Sequence, residues 1–151
     1  GNVFVRKYDS DGNLVWQNEW NGVGVSASTD YGRDVAVDGS GNAYVAGETT
    51  VDGQNVNAWM RRYDQSGAVV WTQTFNNAGN SVDRARGVAV LANGQVVFTG
   101  ESWEPGQAEN IWVRRVNPAT GASVAQFTIN NEDSIDIGRR VIATSDGGYV
   151  V

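Results

Sequence analysis

Short runs of alternating apolar and polar residues follow one another along the whole chain. In the phrase NAWMRRYDQSGAVVW (57–71), two such runs flank the turn DQSG, and the segments 2–16 and 110–125 have nearly the same form. The runs are rich in Val, Tyr, Trp and Thr, which favour pleated strands, and the Gly between them suits a tight hairpin. Alternation in AWMRRY puts Trp59 and Met60 on opposite faces. The pattern therefore predicts antiparallel hairpins that are apolar on both faces.

The pattern also repeats at long range. The phrases DVAVDGSGNAYVAGET, GVAVLANGQVVFTGES and RVIATSDGGYVV begin at positions 34, 87 and 140, which gives a period of 53 residues. This period exceeds the roughly 40–45 residues of WD40 repeats and is close to the roughly 50 of kelch repeats. In the second unit we predict four strands, around 35–37, 43–47, 58–63 and 68–75. Four antiparallel strands per unit predict the blade of a β-propeller, and a solenoid of stacked hairpins is the alternative.

The units are offset relative to the ends of the sequence. We place a partial unit at 1–29, full units at 30–82 and 83–135, and a second partial unit at 136–151, all in one propeller segment over 1–151. Three blades' worth of strands is fewer than the roughly 4–8 blades of a closed ring. We therefore expect a second copy to complete a six-bladed ring, or the chain to be part of a longer propeller. Exposed strand edges favour the second copy.

These phrases carry a resemblance to a known family. DVAVDGSGNAYVAGE (34–48) followed by NAWMRRYDQSGAVVW resembles the bacterial β-propeller repeats called SBBP repeats, in three successive copies. The sequence departs from the family pattern at Arg61 and Arg114, where a small residue is more typical, and in the longer turn at 117–121. The resemblance implies an all-β propeller of four-stranded antiparallel blades in a secreted or cell-surface bacterial protein. It implies no common catalytic set.

The amino-acid composition limits the kinds of binding site and catalytic site that the chain can form. The net charge of −6 argues against general nucleic-acid binding, and no apolar run approaches the roughly 20 residues of a membrane span. The absence of Cys and His removes thiolate metal sites, the commonest metal ligand and the usual general base. The phrase DSDGN (9–13) begins like a calcium loop but lacks the Gly and Glu that such a loop needs, so a hairpin turn is expected. We therefore expect no catalytic residues, no metal, no cofactor, no nucleic acid and no membrane span.

One motif recurs in every unit, an arginine three residues after an aspartate; the pairs are Asp30 with Arg33, Asp83 with Arg86, and Asp136 with Arg139. The three guanidinium groups could form a ring near the axis that holds an anion or a carboxylate. Alternatively, each arginine pairs with a nearby carboxylate such as that aspartate and fastens the loop that enters the innermost strand. Because an element repeated in every unit is more often architectural, we favour the second interpretation.

The loops after the second strands, 48–57 and 101–110, are long, polar and different from each other. Trp103 in the second loop could stack on a sugar ring, anchor a protein partner, or fold back over its own blade. Glu48 and Glu101 recur at one place and could form a carboxylate pair, although sequence alone does not bring them together. The neighbouring basic residues at 6–7, 61–62 and 114–115 point to opposite faces of their strands, and we expect them to form salt bridges between blades.

The sequence is compatible with three functions. The first is a non-enzymatic binding or scaffold module that takes a carbohydrate or protein ligand on its loop face or axial opening. The second is a propeller enzyme of the quinoprotein or lyase kind, since NPATGASVAQF (117–127) is similar to a quinoprotein repeat phrase. The third is a structural repeat in a larger extracellular assembly whose open blade edges act as joints.

Overall fold

In a computed structural model, residues 2–22, 29–77, 79–131 and 134–151 are described. They form twelve β-strands: β1 (Val3–Tyr8), β2 (Leu14–Trp20), β3 (Asp30–Val37), β4 (Ala43–Val51), β5 (Asn55–Tyr63), β6 (Val69–Phe75), β7 (Asp83–Val90), β8 (Val96–Trp103), β9 (Glu109–Val116), β10 (Ser123–Ile129), β11 (Ile142–Ala143) and β12 (Tyr149–Val150). Within these described ranges, no helix is long and apolar enough to cross a membrane.

The strands form four antiparallel sheets. Sheet I contains β1 and β2, and sheet IV contains β11 and β12. Sheet II has the order β3-β4-β5-β6, and sheet III repeats that meander with β7, β8, β9 and β10. The predicted all-β fold of four-stranded antiparallel blades is confirmed. The predicted positions of the strands in the second unit are confirmed too; the first three strands are longer than predicted, and the fourth begins one residue later.

The hairpin turns are built by aspartates and glycines. In the turn between β1 and β2, Asp9 Oδ1 accepts the backbone N–H groups of Asp11 at 2.9 Å and Asn13 at 2.8 Å. Gly12 there has φ 84°, which favours a residue without a Cβ. In the same way, Asp64 Oδ1 accepts the N–H of Ala68 at 3.0 Å in the turn between β5 and β6. The phrase DSDGN is therefore a hairpin turn, as the sequence predicts.

The apolar core lies in layers between neighbouring sheets. Trp59 and Met60 are both fully buried on opposite faces of β5. Trp59 packs with Val3 and Trp20 in the layer between sheets I and II. Met60 packs with Phe98 in the layer between sheets II and III. Sheets II and III bury apolar side chains on both faces, as blades do, and burying one such side chain contributes about 1.5–3 kcal/mol.

The first strands of consecutive sheets lie against each other. β3 packs along β7, and Asp34 Oδ2 accepts the backbone N–H of Val88 at 2.9 Å. A Cβ at Gly87 would lie 2.9 Å from the Cα atom of Arg140, so the chain leading into sheet IV runs against β7. This arrangement brings the same repeat position of sheets II, III and IV to one place.

The two-stranded sheets have free edges. Within the described ranges, β1 pairs only with β2 and β12 only with β11. In sheet II, the corresponding second and third strands pair along their whole lengths, from Ala43 opposite Tyr63 to Val51 opposite Asn55. Sheets I and IV each present one such edge without a partner in this part of the chain.

Candidate functional site

The repeated arginines of sheets II and III lie at β-bulges. The pairing of β3 with β4 shifts between Gly32 and Asp34, and that of β7 with β8 shifts between Ala85 and Gly87. The extra residue on the bulged strand is Arg33 in one case and Arg86 in the other. A bulge re-aims the side chain of its extra residue, which explains why both guanidinium groups leave the regular alternation of the strand.

Each of these arginines pairs with a glutamate on the adjacent strand. Arg33 Nη2 lies 2.5 Å from Glu48 Oε1, and Arg86 Nη2 lies 2.6 Å from Glu101 Oε1, with a second contact from each Nε. The hydrogen bond that Arg86 donates to the Glu101 carboxylate raises the pKa of Arg86. The expected pairing with a nearby carboxylate is found for Arg33 and Arg86, but the partner is the glutamate on the adjacent strand and not the aspartate three residues earlier. The physical reason is the bulge, which turns each arginine across the strand pair towards the glutamate.

The repeated aspartates fasten the connections in another way. Asp30 Oδ2 accepts the backbone N–H of Gly22 at 2.8 Å, and Asp83 Oδ2 accepts that of Asn77 at 2.8 Å. Asp136 Oδ2 accepts the N–H of Asn131 at 2.7 Å. Each aspartate thus holds the incoming chain before the first strand of its sheet. The aspartates therefore fasten the incoming chain by accepting backbone N–H groups, and the arginines take no part in these hydrogen bonds.

Arg84 joins the two glutamates, and the sequence reasoning missed it. Arg84 Nη1 lies 2.9 Å from Glu101 Oε1, and Arg84 Nε lies 3.3 Å from Glu48 Oε2. Its Nη1 is also 4.0 Å from Glu109 Oε1. Glu48 and Glu101 therefore do meet, at a guanidinium group between them. The signal in the sequence was a break in the repeat, because the equivalent position in the preceding unit is Tyr31.

The three repeated arginines line a single cavity. A space of about 300 Å³ is lined by Arg33, Asp34, Arg86, Arg139 and Arg140. Glu48 and Glu101 neutralise the arginines of sheets II and III, but no ion pair within the described ranges involves Arg139 or Arg140. Both of these residues are exposed. The cavity thus carries two arginine charges that have no ion-pair partner among the described residues, opposed by the carboxylate of Asp34.

One segment of the chain matches a known family of repeats. A family model described as a beta-propeller repeat, SBBP, matches residues 23–53. The chain contains a β-propeller repeat of the SBBP family. The matched SBBP repeat includes β3 and β4 and therefore holds Arg33, Glu48 and the hydrogen-bonded Asp30. A comparison with curated proteins gives no match.

A glycine of the SBBP repeat is required by the bulge. A Cβ at Gly47 would lie 2.2 Å from the carbonyl oxygen of Tyr31 and 2.4 Å from the Trp59 ring. In sheet III a Cβ at Gly100 would lie 1.7 Å from the carbonyl oxygen of Arg84. The backbones of the first and second strands therefore approach too closely for a side chain. The adjacent glutamates are held at fixed positions as a result.

A separate cleft lies where the turns after the second strands meet the connection between β6 and β7. The long loops expected at 48–57 and 101–110 are short turns, because β4 continues to Val51 and β5 begins at Asn55, while β8 ends at Trp103 and β9 begins at Glu109. A space of about 320 Å³ is lined by Asn55, Asn80, Ser81, Val82, Trp103 and Glu109. Trp103 is 38% exposed, so it does not fold down completely over its own sheet. The Trp103 backbone is fixed, since its N–H donates to Val82 O at 3.2 Å and its carbonyl accepts from Ser81 Oγ at 3.0 Å.

Within the part of the chain that the structure describes, the basic pairs on the third strands do not form the expected salt bridges with acidic residues. Arg61 lies 4.6 Å over the Trp20 ring of sheet I, and Arg114 lies 4.4 Å over the Phe75 ring of sheet II. Arg62 donates to Pro118 O of sheet III at 2.9 Å. These contacts do run between sheets, but the partners are aromatic rings and a carbonyl. The reason is that the layers between sheets are aromatic.

The chemistry available at these places is recognition by charge, hydrogen bonding and aromatic contact. The arginine cavity offers guanidinium donors that suit carboxylate or phosphate oxygens. The Trp103 cleft offers an aromatic surface with amide and carboxylate groups around it. Among the described residues, no cluster of three or more His, Cys, Asp or Glu side chains is arranged to hold a metal ion.

Proposed function

We propose that the chain is a non-enzymatic binding module of a β-propeller that takes an anionic ligand in the arginine cavity. The observation that carries this proposal is the meeting of Arg33, Arg86 and Arg139 with Arg140 around one space. Arg33 and Arg86 are already oriented by their glutamates, so they lose little side-chain freedom when an anion arrives. Arg139 and Arg140 provide the net charge.

The net charge around the cavity indicates which class of ligand it binds. Three arginines face three glutamates in the network of Arg84, and that network is neutral as a whole. Among the described residues that line the cavity, only Asp34 carries a negative charge against Arg139 and Arg140. A small carboxylate or phosphate fits this surplus, because planar guanidinium groups bind such oxygens in pairs. The proposed ligand is therefore a small anion that enters along the axis.

The loop face at Trp103 is the second binding surface of this module, for a carbohydrate or a protein partner. By resemblance to SBBP repeats, the module acts in a secreted or cell-surface bacterial protein. The free edges of β1 and β12 support a structural role as well. A second copy of the chain would pair β12 with β1 across two junctions, and the rest of a longer propeller would cover the same edges.

Titration with inorganic phosphate, pyrophosphate and citrate tests the anion site. Heteronuclear NMR should locate the shifts at the side chains that line the cavity, and calorimetry should give affinities that fall with added NaCl. Replacement of Arg140 by Gln should weaken binding about fivefold, corresponding to about 1 kcal/mol for one charge-assisted contact. Asp34→Asn should strengthen binding, since it removes the opposing charge from the cavity.

Lys7→Gln is the matched control, because it makes the same charge change on sheet I and Lys7 does not line the arginine cavity. The anion proposal fails if none of the three anions binds, or if Lys7→Gln weakens binding as much as Arg140→Gln. Light scattering tests separately whether a second copy of the chain pairs with the free edges of β1 and β12. A second copy predicts about twice the 16.2 kDa of one chain, and a folded monomer at high concentration would exclude the self-completed ring.

A further inference from the structure

The Trp103 cleft lies entirely between the two complete sheets. Asn55 begins β5 in sheet II, Trp103 ends β8 in sheet III, and Glu109 begins β9. Asn80 belongs to the connection from β6 to β7. The cleft therefore exists whatever completes sheets I and IV, and it is separate from the arginine cavity.

The backbone at this cleft is unusual. Within the described ranges, only two residues other than glycine have positive φ, Asn55 at 65° and Asn80 at 49°. Both of them line this one cleft. Non-glycine residues in this conformation cost free energy and gather at functional sites, and asparagine adopts it more readily than most. Here the conformation places two amide-bearing residues at the edge of an aromatic surface.

The polar groups of the cleft have hydrogen-bonding capacity left over. Within the described ranges, the side-chain amide of Asn55 and the indole N–H of Trp103 make no hydrogen bond. Asn80 Oδ1 accepts from Asn76 Nδ2 at 2.9 Å, which leaves the NH₂ group of Asn80 as a donor. The Glu109 carboxylate is 4.0 Å from Arg84 and keeps its acceptor positions. The cleft that Trp103 lines therefore contains both free donors and free acceptors.

We infer that this cleft binds a neutral sugar ring, with Trp103 as the stacking surface and Asn55, Asn80 and Glu109 as hydroxyl partners. A pyranose has an apolar C–H face and a rim of hydroxyl groups that both donate and accept. A half-exposed indole matches the face, and the amides and the carboxylate match the rim. The volume of about 320 Å³ is within the range of small-ligand sites. This inference rests on the proposed role as a binding module.

A panel of methyl glycosides of glucose, galactose, mannose, xylose and N-acetylglucosamine tests the inference. Saturation-transfer NMR should detect binding, and calorimetry should give the affinity. Trp103→Ala should weaken binding by roughly tenfold or more, as expected for an aromatic anchor. Tyr8→Ala is the control, because Tyr8 is an exposed aromatic residue of sheet I, 52% exposed and outside the cleft.

Glycine substitutions at the two asparagines separate recognition from folding. Asn55→Gly and Asn80→Gly keep the positive φ without strain and remove only the amides, so each should weaken glycoside binding roughly threefold. Unchanged thermal unfolding shows that the fold is retained. The inference is overturned if no glycoside of the panel binds, or if Trp103→Ala and Tyr8→Ala bind equally well. Arg140→Gln should leave glycoside binding unchanged, so failure of the anion site and failure of the sugar site are distinguishable.

Discussion

The indole N–H of Trp71 donates to the carbonyl oxygen of Pro118 at 2.8 Å and so joins the fourth strand of sheet II to a hairpin turn of sheet III. The same relationship links sheets I and II, where Trp16 Nε1 donates to Gln65 O at 3.1 Å. A glycine makes room for each indole, since a Cβ at Gly121 would lie 2.8 Å from the Trp71 ring. The outer strand of one sheet is thereby fixed to its neighbour by a directional bond as well as by apolar packing.

Trp71→Phe should lower the free energy of unfolding by about 1 kcal/mol, the net value of one hydrogen bond, plus a smaller packing loss. Urea unfolding followed by circular dichroism measures this change. Trp103→Phe is the matched control, because the Trp103 indole N–H makes no hydrogen bond within the described ranges, and its cost should stay below about 0.5 kcal/mol. Equal losses in the two variants would show that the bond to Pro118 contributes nothing.

Gly100→Ala should destabilise the protein by about 2 kcal/mol or more, because the new Cβ meets backbone atoms that cannot move without distorting the bulge. The nearest is the carbonyl oxygen of Arg84 at 1.7 Å. Gly39→Ala provides the comparison, since no atom lies within 4 Å of its added Cβ, and we expect a change within about 0.5 kcal/mol. If thermal unfolding of Gly100→Ala matches that of Gly39→Ala, the close approach of β7 and β8 is refuted.

Glu101→Gln should be the most damaging single change in the ion-pair network. Glu101 is fully buried and accepts from both Arg84 and Arg86. Removing one partner of a buried pair costs about 3–5 kcal/mol, and partial exposure of the two arginines reduces our expectation to about 2–3 kcal/mol. Chemical denaturation measures the loss. Glu19→Gln on the exposed face of sheet I should change the free energy of unfolding by less than about 0.5 kcal/mol. A loss as large as that of Glu101→Gln would contradict the stabilising role of the buried ion pairs.

The strands, the turns and the two apolar faces could be predicted from the sequence because each depends on neighbours only a few residues away. The alternation around Trp59 and Met60 is an example. The ion pairs could not be predicted, since a bulge adds one residue to a strand and changes which side chains face each other. The spacing along the chain favours the aspartate three residues before Arg33, whereas the bulge brings Arg33 to Glu48. The Trp103 cleft depends on how two sheets are placed relative to each other, which no local pattern reports.

Asp83 and Asp64 should give stability changes of opposite sign with pH. Burial raises the pKa of Asp83, so its contribution to stability is greatest below the usual aspartate value of about 3.9 and decreases as pH rises through the raised pKa. The hydrogen bond from the Ser66 side chain, followed by that from the Ala68 backbone, lowers the pKa of Asp64. Its contribution is therefore present above about pH 4 and is lost as pH falls through the lowered pKa. Urea midpoints measured between pH 3 and pH 7 should show the stability of Asp83→Asn increasing relative to the wild type as pH rises. The stability of Asp64→Asn should decrease relative to the wild type over the same range. Parallel curves for the two variants would contradict the buried, raised-pKa state of Asp83.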